Sequence, residues 1–336
     1  MNWQQKARLQ NLIGALPLSN AIYYAMQRSV GSLRKGRANP VEYYDAARRM
    51  AAWIRATGRD VEGLRFLEVG TGRNVNLPTA LWLCGAAQVT TVDLNPYLSS
   101  ALVFESNEYA RQHEAEVLQA FGAEAERAQF RERFAQLTNF KGDLAGLLKM
   151  MNVEYLPRAD ASQLPLQSAS FDAHVSFAVF EHIPANVLEA ILAEARRLLR
   201  PEGLLVHIID PSDHFAHTDD SITAINFLQF DDAEWEAWAG NQFMYHNRLR
   251  AFEYLELFER AGVRVLEQQQ ALDEPSLRAL KNGFPLHRQF RHIAAEELAV
   301  RSLNVLGTFS AETAEAQRRP SDCYHVDGKG SVKSVG

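Results

Sequence analysis

The sequence predicts an α/β fold, a seven-stranded and mostly parallel sheet with helices on both faces, and three observations carry that expectation. Between about residues 60 and 210, short β-rich runs alternate with longer helical patterns, as in parallel sheets covered on both sides. The apolar run Phe66-Leu67-Glu68-Val69 passes into the turn Gly70-Thr71-Gly72-Arg73-Asn74 and then into a helix near Pro78. An acidic residue, Asp93, closes the next β-rich run 21 residues after Gly72.

Taken in order, the strands are expected at Leu64 to Val69, Gln88 to Val92, Val153 to Leu156, Phe171 to Val179 and Leu204 to Ile209. Val263 to Gln268 and Ser302 to Phe309 follow, late enough to form an antiparallel hairpin at the sheet edge. Residues 1–59 read as a helical N-terminal lid carrying the pairs Tyr23-Tyr24 and Tyr43-Tyr44. Residues 60–317 form the sheet domain, with inserts at 96–151 and 211–260, and residues 318–336 lack periodicity and read as a flexible tail. Within the first insert, Glu105, Glu108, Glu114 and Glu116 among alanines suggest a solvated helix face. Trp235 and Trp238, three apart in a helical stretch, belong to a core.

Composition narrows the function. A chain of 336 residues with 47% hydrophobic and 10% aromatic residues can bury a substantial core. A net charge of -6 offers no cationic field for phosphates, which disfavours nucleic acid and anionic membranes and leaves a small-molecule substrate. Cys84 and Cys323 are too few for a disulfide framework, and Cys84 lies in an apolar helical run. With neither an N-terminal apolar leader nor eighteen consecutive apolar residues, a soluble cytoplasmic protein is expected. The sequence is silent on oligomeric state.

Gly70 and Gly72 tolerate positive φ and carry no Cβ, so a ligand can approach the backbone where the next helix offers free N–H groups. Asp93, at the end of the second strand, is placed to accept hydrogen bonds from ribose hydroxyls. An ordinary tight turn and a helix cap are the plain alternatives. Together these residues resemble the first motifs of class I S-adenosylmethionine-dependent methyltransferases, which have a Rossmann-like fold. Glu68, Gly70 and Gly72 match the acidic residue and glycine turn, while Asn74 stands where a third glycine is common. The resemblance implies that Glu68 helps to position S-adenosylmethionine and that the turn from Gly70 to Asn74 lines its methionine and ribose portion. Arg158 to Leu166, followed by Ser170-Phe171-Asp172, is similar to the segment joining strands three and four, which implies that Asp160 bonds the adenine amino group and that Ala161 offers its N–H to the ring. Phe177 to Pro184 resembles the exit of the fourth strand, which sets Phe177 beside the cofactor, and Leu198 to Gly203 resembles the turn into the fifth. The resemblance covers about residues 60 to 210 and, less clearly, 250 to 310.

Methyl transfer is an in-line displacement that holds the acceptor roughly 3–3.5 Å from the methyl carbon and excludes water. A base is needed only for a hydroxyl or protonated amine, and His182, at the end of the fourth strand, is the candidate, its alternative being to cap the following helix. The stretch from Asp210 to Asp220 is dense in ligating groups, and His214 is a second catalytic candidate. His214 and His217 with Asp210 or Asp219 can hold a divalent ion, but the spacing fits no standard motif, so no metal is expected and the loop reads as a hydrogen-bonding pocket wall that Asn226, Tyr245, Asn247 and Arg248 complete. A tyrosine of the lid, Tyr44 or Tyr43, can cover the sulfonium by a cation–π contact, or else anchor a helix on the core. The expected function is methyl transfer to oxygen or nitrogen of a small metabolite, of the kind found in secondary metabolism. Two alternatives stand beside it. In the first, the cofactor's own amine attacks its γ-carbon to give azetidine-2-carboxylate and methylthioadenosine, as in synthases that share the methyltransferase fold; the second is a protein that binds S-adenosylmethionine without turnover.

Overall fold

The structure, a computed structural model, describes residues 1–309, so the expected tail at 318–336 and Cys323 lie outside the described residues. Seven strands form one sheet: β1 (Arg65–Val69), β2 (Gln88–Asp93), β3 (Val153–Pro157), β4 (Phe171–Phe177), β5 (Leu199–Ile209), β6 (Val263–Leu272) and β7 (Val300–Phe309). Their order is β3-β2-β1-β4-β5-β7-β6. The pairs from β3 through β5 are parallel, and β7 runs antiparallel between β5 and β6. β4 ends at Phe177 rather than Val179 because Ala178 turns the chain with φ +51. β5 begins at Leu199 rather than Leu204, with Leu199 paired to Phe171 across a register shift.

Among the described residues, thirteen α-helices surround the sheet. They are α1 (Trp3–Gly14), α2 (Ser19–Ser29), α3 (Val41–Ala56), α4 (Asn76–Leu83), α5 (Ser100–Gln112), α6 (Glu114–Phe121), α7 (Ala128–Asn139) and α8 (Leu144–Met150), then α9 (Ala185–Leu198), α10 (Asp232–Ala239), α11 (Ala251–Arg260), α12 (Glu274–Lys281) and α13 (Ala295–Leu298). The two-residue alternation of strands sorts their side chains: Phe66, Val175 and Val206 join a core under α3 to α8, while Leu67, Val69 and Leu205 join one under α9 and α11. Every residue of α4 is buried, as its mostly apolar sequence favours, with Asn76 and Thr79 the buried polar members. On α9, Leu188, Ile191, Leu192 and Ala195 recur at helical spacing and face the sheet. The second face also buries a polar chain, Ser176 to His207 at 2.8 Å and His207 to His174 at 3.3 Å.

A third core gathers Trp3 and Ala7 of α1 with Phe215, Phe227 and Trp235 of the second insert. Trp235 is therefore core, with Trp3 edge-on to Trp238 at 5.2 Å. The N-terminal segment divides in two: α3 packs into the sheet core through Tyr44, Ala47, Met50 and Ile54, whereas α1 and α2 lie against the inserts and loops. Tyr44 is a correction to the expectation of a sulfonium contact, because the apolar stripe of α3 turns it inward, 1% exposed, against Phe121 at 5.1 Å. Glu108, Glu114 and Glu116 are exposed. Glu105 departs from that solvated face and binds Arg28 of α2 through both oxygens, at 2.7 and 2.9 Å. Among the described residues no helix is long and apolar enough to cross a membrane.

Candidate active site

β1 lies between β2 and β4, and at the β1–β4 boundary the order of connection reverses, so the carboxyl ends of these strands open a crevice there. The glycine turn forms its floor. Gly70 takes φ +94 and donates its N–H to Val92 O at 2.9 Å; a Cβ there would collide with Val179. Gly72 takes φ +64, and nothing stands within 4 Å of where its Cβ would be, which leaves room for a ligand against the backbone. The Gly72 N–H donates to Asp93 Oδ2 and the Asn95 N–H to Oδ1, both at 2.8 Å. Asn74 Oδ1 accepts the Asn76 N–H at 3.1 Å, which shapes the entry to α4.

Glu68 is 4% exposed beneath this turn and accepts a hydrogen bond from the Thr91 hydroxyl, which also meets that of Thr71. Burial pushes its carboxyl pKa up to about 8. Burial also raises that of the half-buried Asp93, against the two backbone bonds. The segment carrying Asp160 and Ala161 is docked beside Asp93 by a bond from the Ala159 N–H to the Asp93 carbonyl at 3.0 Å. Asp160 is exposed, and bonds to its Oδ1 from the Ser162 N–H (2.9 Å) and hydroxyl (2.7 Å) hold its pKa down. Phe177 is half-buried and meets the ring of Tyr43, edge-on at 5.0 Å. Thus Tyr43, not Tyr44, is the tyrosine of its pair that reaches β4's exit.

Over the end of the glycine turn lies α2. The Arg73 guanidinium sits 4.7 Å from the ring centres of both Tyr24 and Tyr97. Tyr24 meets Ser99 Oγ at 2.9 Å, and the Tyr97 hydroxyl donates to Asn20 Oδ1 at 3.0 Å.

Across Phe177 and Ala178 opens a cavity of about 550 Å³, also lined by Asp210, Ser212, His217 and Thr223. Burial opposes charge on Asp210, but hydrogen bonds from His214 and His217 outweigh it and hold its carboxyl far below the usual range. The same bond to Asp210 raises the pKa of His217. His182 has an exposed face, and its Nδ1–H donates to the Tyr245 carbonyl at 2.9 Å. Crowding by protein and the charge of His214 hold its pKa near 4, so its Nε2 keeps a free lone pair at neutral pH.

Of the residues expected to wall the pocket, Asn247 and Arg248 brace the surrounding backbone instead, Asn226 binds the side chain of Asp213, and Tyr245 offers its carbonyl to His182. Asn247 donates to Phe180 O and Ile183 O at 2.8 Å each, Arg248 to Phe227 O and Phe230 O at 3.0 and 2.9 Å, and Asn226 to Asp213 at 3.1 Å. Asp219 accepts the Trp3 N–H at 2.6 Å, which commits it to α1. Two groups had no local signal in the sequence: His246, against His182 and His214 at 4.6 and 4.1 Å between ring centres, and Glu181, 1% exposed, which reads only as a cap.

The methyltransferase-domain family model matches residues 67–207. Among solved structures, the chain is similar to an S-adenosylmethionine-dependent methyltransferase from Methanosarcina mazei, at 16% identity over 74% of this chain and 93% of that one, with a TM-score of 0.39. It is also similar to one from Mesorhizobium loti, at 16% identity over 79% and 99%, TM-score 0.41. A third is the magnesium protoporphyrin IX methyltransferase of Synechocystis with bound S-adenosylhomocysteine, at 11% identity over 91% and 99%, TM-score 0.43. No curated protein matches the sequence.

Proposed function

We propose that this chain, whose residues 67–207 match the methyltransferase-domain family model, acts as a class I S-adenosylmethionine-dependent methyltransferase, with S-adenosylmethionine as cosubstrate, and methylates an oxygen or nitrogen of a small metabolite. The observation that carries this reading is the cavity of about 550 Å³ that shares Phe177 and Ala178 with the cosubstrate crevice. Its size suits a compact organic ligand, for which pockets of roughly 300–1,000 Å³ are usual.

The cosubstrate supplies an activated methyl group; the chain supplies position and dryness. The open backbone at Gly72 and the acidic Glu68 and Asp93 receive the amino-acid and ribose parts, and Asp160 with Ala161 the adenine. The Tyr43–Phe177 pair forms an apolar partition that keeps water from the reacting carbon. His182, with a lone pair on Nε2, takes the acceptor's proton where the acceptor is a hydroxyl.

The test is to incubate the purified protein with S-adenosylmethionine, first alone and then with pools of hydroxylated and amine metabolites, and to identify products by mass spectrometry. Acceptor-dependent S-adenosylhomocysteine supports the proposal. Methylthioadenosine with azetidine-2-carboxylate from the cosubstrate alone replaces it with cyclisation, and bound cosubstrate that no acceptor consumes points to a binding protein.

A further inference from the structure

His182, His214 and His246 come from the exit of β4, the loop after β5 and the segment before α11, yet one nitrogen from each lies within 4.8 Å of the others. Two of the three rings are already held in the form a metal requires. The Nδ1–H of His182 donates to Tyr245 O and that of His246 to Met244 O, each at 2.9 Å, which leaves Nε2 of both rings as an unprotonated lone pair. Metal-binding histidines are typically oriented by such a bond from the second nitrogen to a carbonyl.

Most of the donors facing this point lack partners. His246 is 5% exposed and its Nε2 has no hydrogen bond, while Nε2 of His214 has only a long contact of 3.4 Å to Asp210 Oδ2. Both oxygens of Glu181, 1% exposed, are unpartnered, and Oε1 lies 3.9 Å from His214 Nε2. A buried carboxyl group to which no side chain donates and an imidazole nitrogen without a partner are each costly to desolvate, and a single cation would satisfy them together.

We propose that Glu181, His182, His214 and His246 form a binding site for one divalent transition-metal ion of the zinc class. Three imidazoles and one carboxylate suit a borderline ion such as Zn²⁺ better than Mg²⁺, which prefers oxygen and water. Side-chain rotation brings the donors from their present spacing to bonds of roughly 2.0–2.2 Å. The overlapping group of Asp210, His214 and His217 is the poorer site, because Asp210 already accepts from His217 at 3.3 Å and His217 is exposed. The metal site stands whether or not methyl transfer is the reaction. If it is, the ion takes the Nε2 lone pair of His182 and replaces that residue as the group that activates the acceptor, whose oxygen can enter the coordination sphere from the cavity lined by Asp210, a role that rests on the methyl-transfer reading.

The test uses the full chain, stripped of metal by chelator and titrated with Co²⁺, with Zn²⁺ as competitor. The expected result is one Co²⁺ per chain, with the intense visible bands of four- or five-coordination and histidine ligation in X-ray absorption. His246→Gln and Glu181→Gln should each weaken binding by at least about tenfold, while His217→Gln leaves it within about threefold. Since changes at buried positions can disturb folding, circular dichroism accompanies each variant and the exposed His182→Gln repeats the test. The proposal is overturned by absence of stoichiometric binding, by binding that survives both His182→Gln and His246→Gln in folded protein, or by loss confined to His217→Gln.

Discussion

The carboxylate of Asp93 accepts the backbone N–H of Gly72 at 2.8 Å, tying the glycine turn after β1 to the end of β2. Asp93 thus shapes the crevice as well as facing it. Asp93→Ala should weaken S-adenosylmethionine binding at least about tenfold and destabilise the fold by about 1 kcal/mol, the net worth of a partly buried hydrogen bond. Asp93→Asn keeps one acceptor for the turn and should recover part of the stability but less of the affinity. Titration calorimetry and urea denaturation measure the two effects separately.

Gly70 and Val179 should couple. Gly70→Ala places a methyl against Val179 and asks alanine to adopt φ +94, so it should cost about 1–3 kcal/mol in backbone strain alone and more from the clash. Val179→Ala in the same chain should relieve the clash but not the strain. A double-mutant cycle of urea midpoints that showed simple additivity would contradict this account.

Stability should fall in mild acid. Burial lowers the pKa of His174 to about 4 and that of His207 well below its ordinary value, whereas both titrate near 6.5 when unfolded. Below pH 6.5 the unfolded chain binds protons that the folded chain refuses. The loss for His174 alone should reach about 3 kcal/mol by pH 4. Unfolding free energies measured between pH 7 and 4 check the slope.

Glu68 works in the opposite direction. Its folded pKa of about 8 exceeds the unfolded value of 4.5, so the folded chain holds an extra proton between them and loses stability as pH rises through that window. Glu68→Gln should flatten this dependence. A cationic cosubstrate favours the ionised carboxylate, so binding at neutral pH should release a proton, read as a buffer-dependent calorimetric enthalpy that Glu68→Gln abolishes.

The Arg28–Glu105 pair fastens α2 over the glycine turn, with both side chains largely shielded from water. Arg28→Ala should raise amide exchange across residues 19–29 several-fold with little change in global unfolding, because α2 buries no residue fully. Faster release of S-adenosylmethionine should accompany it.

The strands and the glycine turn were legible because their signals are local: alternating apolar residues, glycines at the turn and acids at two strand ends are read within a few positions of one another. The same holds for the helical first insert, although not for Glu105, whose partner lies in α2. Tyr43 and Tyr44 are equivalent as neighbours in a sequence. Only the rotation of α3 against the sheet turns one toward Phe177 and the other toward Phe121. The pocket wall expected from Asn247 and Arg248 became backbone bracing for a related reason, since a polar side chain's role depends on which unpaired carbonyls surround it.

By itself, then, the sequence determined the order of the strands and the glycine turn at the sheet's carboxyl edge, carried by patterns that short-range sterics and burial impose on neighbouring residues. Tertiary structure alone decided the meeting of His182, His214 and His246, with Glu181 beside His214. These groups lie on three separate segments, and packing against the sheet is what brings them to one point.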